Sequence, residues 1–240
     1  MSKLYIADAI RIAKGEVGYL EKASNKDLDS KTGNPGSGSW TKFSRDLWEA
    51  DPHFFQGNKN GIADWCSIFV AWCIYMAVGR NSTKAQMALC YGGPYGASCT
   101  YAAGYYKEAG RFHADHPQPG DQIFFQRAGQ IVHTGLVEKV DPDGVIHTIE
   151  GNSSNAVRRQ AYGPEDARIY GYGRPRYEEE IPCPFTDLEP QSYYEEAARE
   201  LWRLGIVKGT SGTTFEPGRN ITRAEVATML WRTIKYLKED

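Results

Sequence analysis

The chain has 240 residues, 41% of them hydrophobic and 24% charged, with a formal net charge of −2 at pH 7; that length accommodates one globular domain of ordinary size plus a small one. Its 28 basic residues nearly balance 30 acidic ones and no long run of either sign occurs, so the charge pattern points to neither a nucleic-acid nor an anionic-membrane partner. The longest apolar run, in 65–79, is shorter than the roughly 20 residues that span a bilayer.

The opening stretch, "MSKLYIADAIRIAKGEVGYLEK", reads as an amphipathic helix to about Tyr19. It is too polar for a secretory leader, which makes synthesis in the cytosol without a signal peptide the expectation. A loop dense in Gly, Ser, Asn and Pro follows, "SNKDLDSKTGNPGSGSW". Helices are then predicted around "WTKFSRDLWEA", from near Trp65 with Asp64 as its cap, and at "CTYAAGYYKEAG"; Gly79 can close the second with a left-handed residue. Beyond them the texture changes. "HPQPGDQIFFQ" is a turn and a strand, "QIVHTGLVEKV" and "GVIHTIEGN" are two strands joined by "DPDG", and "ARIYGYGRP" is a last strand. Helices first and an antiparallel sheet second make an α+β domain.

Prolines and an acidic triplet in "RPRYEEEIPCPF" mark a linker. The expected division is a larger α+β domain at 1–177, a linker at 178–184 and a helix-loop-helix unit at 185–240. In that unit Thr222 and Glu225 form a capping box at the start of the second helix. A segment of about 55 residues has little core of its own, so it must lean on a neighbour or on copies of itself.

The five cysteines, Cys66, Cys73, Cys90, Cys99 and Cys183, contain no C-x-x-C pair and make no even framework. Cys66 lies at the start of an apolar helix, where unpaired N–H groups and the helix dipole favour a thiolate. Cys73, in mid-helix, reads as a core residue. A nucleophile needs a base, and His133 opens a strand with Gly135 keeping the same face uncrowded. His147 shares a face with Ile149 and points away from Glu150. His113 and His116, in "HADH", lack a further ligand pair and read as surface residues. Glu150 and Asn152 in "TIEGN" share one face of an extended strand, and either can hold an imidazole in the right tautomer.

In this order, "WCSIFVAWC", "PQPGDQIFF", "HTGLVEKV" and "TIEGN" resemble the CHAP domain, the cysteine- and histidine-dependent amidohydrolase/peptidase family of the papain-like superfamily, over about residues 1–177. The resemblance implies a papain-like fold with a helical front and a sheet behind. It also implies Cys66 as nucleophile, His133 as base, and Glu150 and Asn152 as their assistants. The implied substrate is bacterial peptidoglycan, cut at the amide between muramic acid and the stem peptide or within the peptides. Some relatives bind calcium, but Asp46, Glu49 and Asp51, placed in the loop before the nucleophile, form no recognisable calcium loop, and no metal or cofactor is assigned.

The tail resembles an S-layer homology motif, with "FTDL", "LGIVKGT" and "FEPGRNITRAEVATML". It implies binding of secondary cell-wall polysaccharide through Asp187 and Arg223. Tyr194 stands where that family usually has tryptophan, and one copy is present where three usually build a threefold unit. The tail is therefore expected to dock on the catalytic domain or to bring three chains together as a homo-trimer. The combined reading is an endolysin-like hydrolase that acts on the cell wall after release. A secreted autolysin, a catalytically silent wall-binding protein and an acyl transferase are the alternatives.

Overall fold

The computed structural model describes residues 4–178 and 182–239. Its backbone divides into two units, Met1–Glu178 and Glu179–Asp240. Of the linker expected at 178–184, residues 179–181 lie outside the described residues.

The first unit opens with α1 (Ile6–Glu16) and α2 (Lys42–Ala50), the latter capped by Thr41, whose side chain accepts from the Ser44 N–H. Helix α1 ends short of Tyr19, because Tyr19 is drawn into an aromatic cluster with Phe43 and Trp65 and its hydroxyl donates to the Leu28 carbonyl at 2.8 Å. Helix α3 (Cys66–Ala77) is buried on nearly every side, as its unbroken apolar sequence requires. It ends in a Schellman motif: Gly79 adopts φ 69°, and the N–H of Arg80 reaches back to the Tyr75 carbonyl. Two short helices follow, α4 (Ser82–Ala88) and α5 (Cys99–Glu108); α4, capped by Asn81, was not foreseen from the sequence.

The sheet comprises β1 (Phe112–His113), β2 (Gln122–Arg127), β3 (Gln130–Val140), β4 (Ile146–Glu150), β5 (Arg158–Tyr162) and β6 (Ile169–Gly173). Every pairing is antiparallel, and the spatial order is β1-β6-β2-β3-β4-β5. The helices-then-sheet α+β reading therefore holds. Strand β5 escapes a pattern-based reading because "RRQAY" is almost entirely exposed. Its edge position supplies the backbone pairing that its side chains do not advertise. Helix α3 packs on β3 and β4, and α5 on β3 and β6. Two helices thus pack on the inner strands of the sheet.

In the second unit, α6 (Glu195–Arg203) and α7 (Arg223–Glu239) flank a loop. Phe185, Leu188, Ala198, Ile206 and Val207 form a small core, joined by Trp202, Phe215 and Met229. Among the described residues no helix is long and apolar enough to cross a membrane.

Candidate active site

His133 and Glu150 come from neighbouring antiparallel strands, β3 and β4, and the His133 Nε2 lies 2.9 Å from the Glu150 Oε2. Gly135 makes this approach feasible. A Cβ there would stand 2.6 Å from the Glu150 Cγ, so a glycine on the histidine's own face leaves the channel through which the carboxylate crosses. Glu150 is itself held from the other side: its Oε1 accepts from the Thr148 hydroxyl at 2.6 Å and the Tyr162 hydroxyl at 2.8 Å. Its side chain is only 2% exposed, so a buried carboxylate has all its partners in place. Burial first, and then the Glu150 charge, push the Tyr162 hydroxyl well up, which keeps it a donor. In the tautomer that donates from Nε2 to this carboxylate, Nδ1 is the nitrogen left with a lone pair. The ring also stacks on Phe125, with centroids 5.7 Å apart.

Cys66 is the first residue of α3, but Asp64 does not cap the helix. The cap position is Trp65, with no side-chain hydrogen bond, and Asp64 lies exposed outside it. Trp65 is instead fixed from the loop after α1, where the buried Glu21 accepts from its indole Nε1 at 2.7 Å and from the Ser39 N–H at 2.7 Å. The turn after β4 presses on the same helix. A Cβ on Gly151 would lie 2.4 Å from the Phe69 Cβ, so only glycine allows the strand end to seat against the turn that presents Cys66.

The Cys66 thiol meets an unforeseen neighbour, Cys99, the first residue of α5. Cys66 is 6% exposed, and the neighbour that acts on its thiol most strongly is the side chain of Cys99. This contact, then burial, push the Cys66 thiol well up; the Ser67 N–H works the other way, and Asp64 adds to the rise. The same contact brings Cys99 down to about 7, helped by the nearby His133 and by the backbone N–H groups of Cys99 and Thr100. The pair titrates as a unit, losing its first proton easily and its second with difficulty. The helix start therefore presents a protonated Cys66 at rest, not the free thiolate expected from dipole arguments alone. A cysteine opening "CTYAAG", as Cys66 opens α3, was the available signal for this partner.

Asn152 does not join Glu150 on the imidazole. It sits at φ 57°, past the end of β4, and its Nδ2 lies 3.5 Å from the Asp64 Oδ1. The shared-face argument required an extended strand through 152, and the turn ends that geometry. His147 points elsewhere and pairs with Asp141 at 2.6 Å. His113 lies in β1, and His116 is exposed beside Asp115. Asp46 and Glu49 lie on α2, not in a loop. Asp46 accepts from the Trp72 indole at 2.9 Å and from Arg45, and Asp51 caps the following turn through the His53 N–H.

In the second unit, Asp187 accepts from the backbone N–H groups of Phe215 and Glu216 at 2.8 and 2.7 Å. These two bonds hold its carboxyl below the usual range. Arg223 is exposed at the start of α7, next to the realised capping box: Thr222 accepts from the Glu225 N–H at 3.2 Å, and Glu225 from the Thr222 N–H at 2.8 Å.

Against known families, the CHAP domain matches residues 57–152 and the S-layer homology domain matches residues 184–227. The chain thus carries a CHAP-like segment at 57–152 followed by an S-layer-homology-like segment at 184–227. Cys66, Cys99, His133, Glu150 and Asn152 all fall within the CHAP match. Similar solved structures include two with related titles. "The crystal structure of Ly7917" is 16% identical over 71% of this chain and 62% of that one, with a TM-score of 0.43. "The crystal structure of Ly7917 with the hydrolyzing product of MDP" is 17% identical over the same shares, with a TM-score of 0.40. The chain thus spans about three fifths of the length of the solved structures it matches, 62%. No curated protein matches it.

Proposed function

We propose that the protein is a peptidoglycan hydrolase that cleaves an amide bond through a thioester on Cys66. The observation that carries this reading is the His133–Glu150 pair inside a CHAP domain: a 2.9 Å bond to Nε2 from a carboxylate held on three sides, leaving Nδ1 as a base. His133 removes the Cys66 proton as the sulfur attacks the carbonyl carbon, so the raised thiol needs no standing thiolate. The Nε2–H bond to Glu150 stabilises the imidazolium that results. The N–H groups of the first turn of α3, unpaired within the helix, would receive the oxyanion. His133 then protonates the departing amine, and water, deprotonated by the same nitrogen, cleaves the thioester.

Cys66→Ala is expected to abolish clearing of a cell-wall suspension while leaving the circular dichroism spectrum unchanged. Lysis that persists in this variant would end the proposal. Mass spectrometry of fragments released from a defined peptidoglycan distinguishes an amidase from an endopeptidase.

For the S-layer homology unit we propose secondary cell-wall polysaccharide as ligand and association through α7. What supports association is the apolar face left open on that helix: Leu230 is 59% exposed, Trp231 64% and Leu237 68%. Three copies covering these faces would regenerate a threefold unit. A strict monomer by light scattering at all concentrations would rule this out. Since Asp187 is committed to the backbone at 215 and 216, its part in ligand binding would be to shape that loop, and Arg223 is the side chain free to reach a sugar acid from an exposed position.

A further inference from the structure

Outside the proposed acid-base machinery, the active site holds a second thiol. Cys66 and Cys99 each occupy the first position of a helix, α3 and α5 respectively, and both are free. Their approach is built into the fold: the Ser67 hydroxyl donates to the Gly96 carbonyl at 2.9 Å, tying the start of α3 to the segment that leads into α5. On its other side Cys99 reaches β3, with its Sγ 3.8 Å from the Ile131 carbonyl, two residues before His133 in the chain. The two sulfurs differ in access. Cys66 is buried, whereas Cys99 is half-buried and therefore within reach of a small solute. Cys73 is enclosed in the core, and Cys90 contacts the Ala88 carbonyl and the Arg176 guanidinium.

We propose that Cys66 and Cys99 form a reversible disulfide under peroxide, which masks the nucleophile in a recoverable form. The activity side of this proposal rests on the reading of Cys66 as the nucleophile; the bond itself does not. The more accessible Cys99 reacts first as its thiolate. Its sulfur attacks one oxygen of hydrogen peroxide, the O–O bond breaks, and the sulfur becomes a sulfenic acid while the departing hydroxide takes up a proton as water. The Cys66 sulfur then attacks the sulfenyl sulfur, the S–S bond forms, and the S–O bond breaks. The released hydroxide leaves as water with the proton that Cys66 gives up. Each sulfur is oxidised by one electron, and one peroxide is reduced to two waters. Two equivalents of a thiol reductant reverse the step by exchange. Cys99 fits this role because its thiol is brought down to about 7, so a large fraction is thiolate at neutral pH.

The test is a peroxide titration of the full-length protein, read by non-reducing peptide mapping and by lysis before and after dithiothreitol. The expected result is one linked peptide pair, Cys66 with Cys99, appearing in step with loss of activity and disappearing on reduction with recovery of at least about tenfold. In Cys99→Ser, activity measured relative to its own untreated sample should be lost to peroxide without recovery, because the sulfenic acid on Cys66 has no partner and proceeds to sulfinic acid. Linkage of Cys90 to Cys99, absence of any linked pair at inactivating doses, or equal recovery in wild type and Cys99→Ser would each overturn the proposal. If Cys66→Ala still lyses walls while the wild type forms the disulfide, the reading of the nucleophile fails and the disulfide stands, so the two failures are separable.

Discussion

The two units of this chain solve the problem of burial in different ways. In Met1–Glu178 the functional groups are enclosed and their hydrogen-bonding capacity is filled from within: Glu150 takes bonds from His133, Thr148 and Tyr162, and Glu21 from Trp65 and Ser39. In Glu179–Asp240 the core is a handful of residues, and α7 leaves Leu230, Trp231 and Leu237 to solvent. A large unit can build a buried polar network because its core fixes both ends of each bond. A unit of this small size holds its loops with isolated carboxylate-to-backbone bonds, as at Asp187 and Glu225, and has apolar surface left over.

The sharpest way to break the comparison is at Glu150. Glu150→Gln keeps the shape but replaces one acceptor oxygen by an amide donor among three donors, so kcat should fall ~100-fold or more while the wall-binding fraction in a pull-down stays the same. Retained kcat would show that the network is only structural. A smaller effect is expected at Gly151→Ala, where the new methyl group meets Phe69 at 2.4 Å. Overpacking of this kind costs about 1–3 kcal/mol, seen as a lowered Tm of the catalytic unit, and an unchanged Tm would mean that the turn is free to move away from α3.

Within the site, the coupling of the two thiols has a definite sign. Cys99 should be alkylated by iodoacetamide with a midpoint at about pH 7, and in Cys66→Ala that midpoint should rise towards the ordinary value of 9.0, because the S–H that stabilised the thiolate is gone. A midpoint that stays put would dissociate the two cysteines.

The smallest effect belongs to Glu225. The Thr222 N–H, followed by Arg219, holds its carboxyl down at about 2, against 4.5 when free. Folding is therefore favoured by this group above pH 4.5, and the contribution disappears as pH falls through about 2. Glu225→Gln should flatten the acid limb of the helix signal of the second unit slightly over that window, and an identical acid limb in both proteins would assign the capping box no role in stability.

The order of helices and strands, the apolar helix carrying Cys66, the left-handed Gly79 and the capping box at Thr222 and Glu225 were all legible in the chain, because each depends on residues within a few positions of one another. A strand's alternation also placed His147 off the Glu150 face. Besides α4 and β5, three features of the site were not legible. Asp64 was read as a cap, but the chain enters α3 with Trp65 held by Glu21, 44 residues earlier. Asn152 was grouped with Glu150, but a turn at φ 57° sends its amide to Asp64. Cys99 went unassigned because its meeting with Cys66 depends on two helix starts converging on β3, which no local pattern encodes. Sequence by itself determined which residue types could do chemistry and where most of the helices and strands would lie, since periodicity and capping act over short range. Only the tertiary structure decided which of those residues touch, since long-range packing through Gly135 and Gly151 lets Glu150 cross to His133 and seats the end of β4 against the helix that carries Cys66.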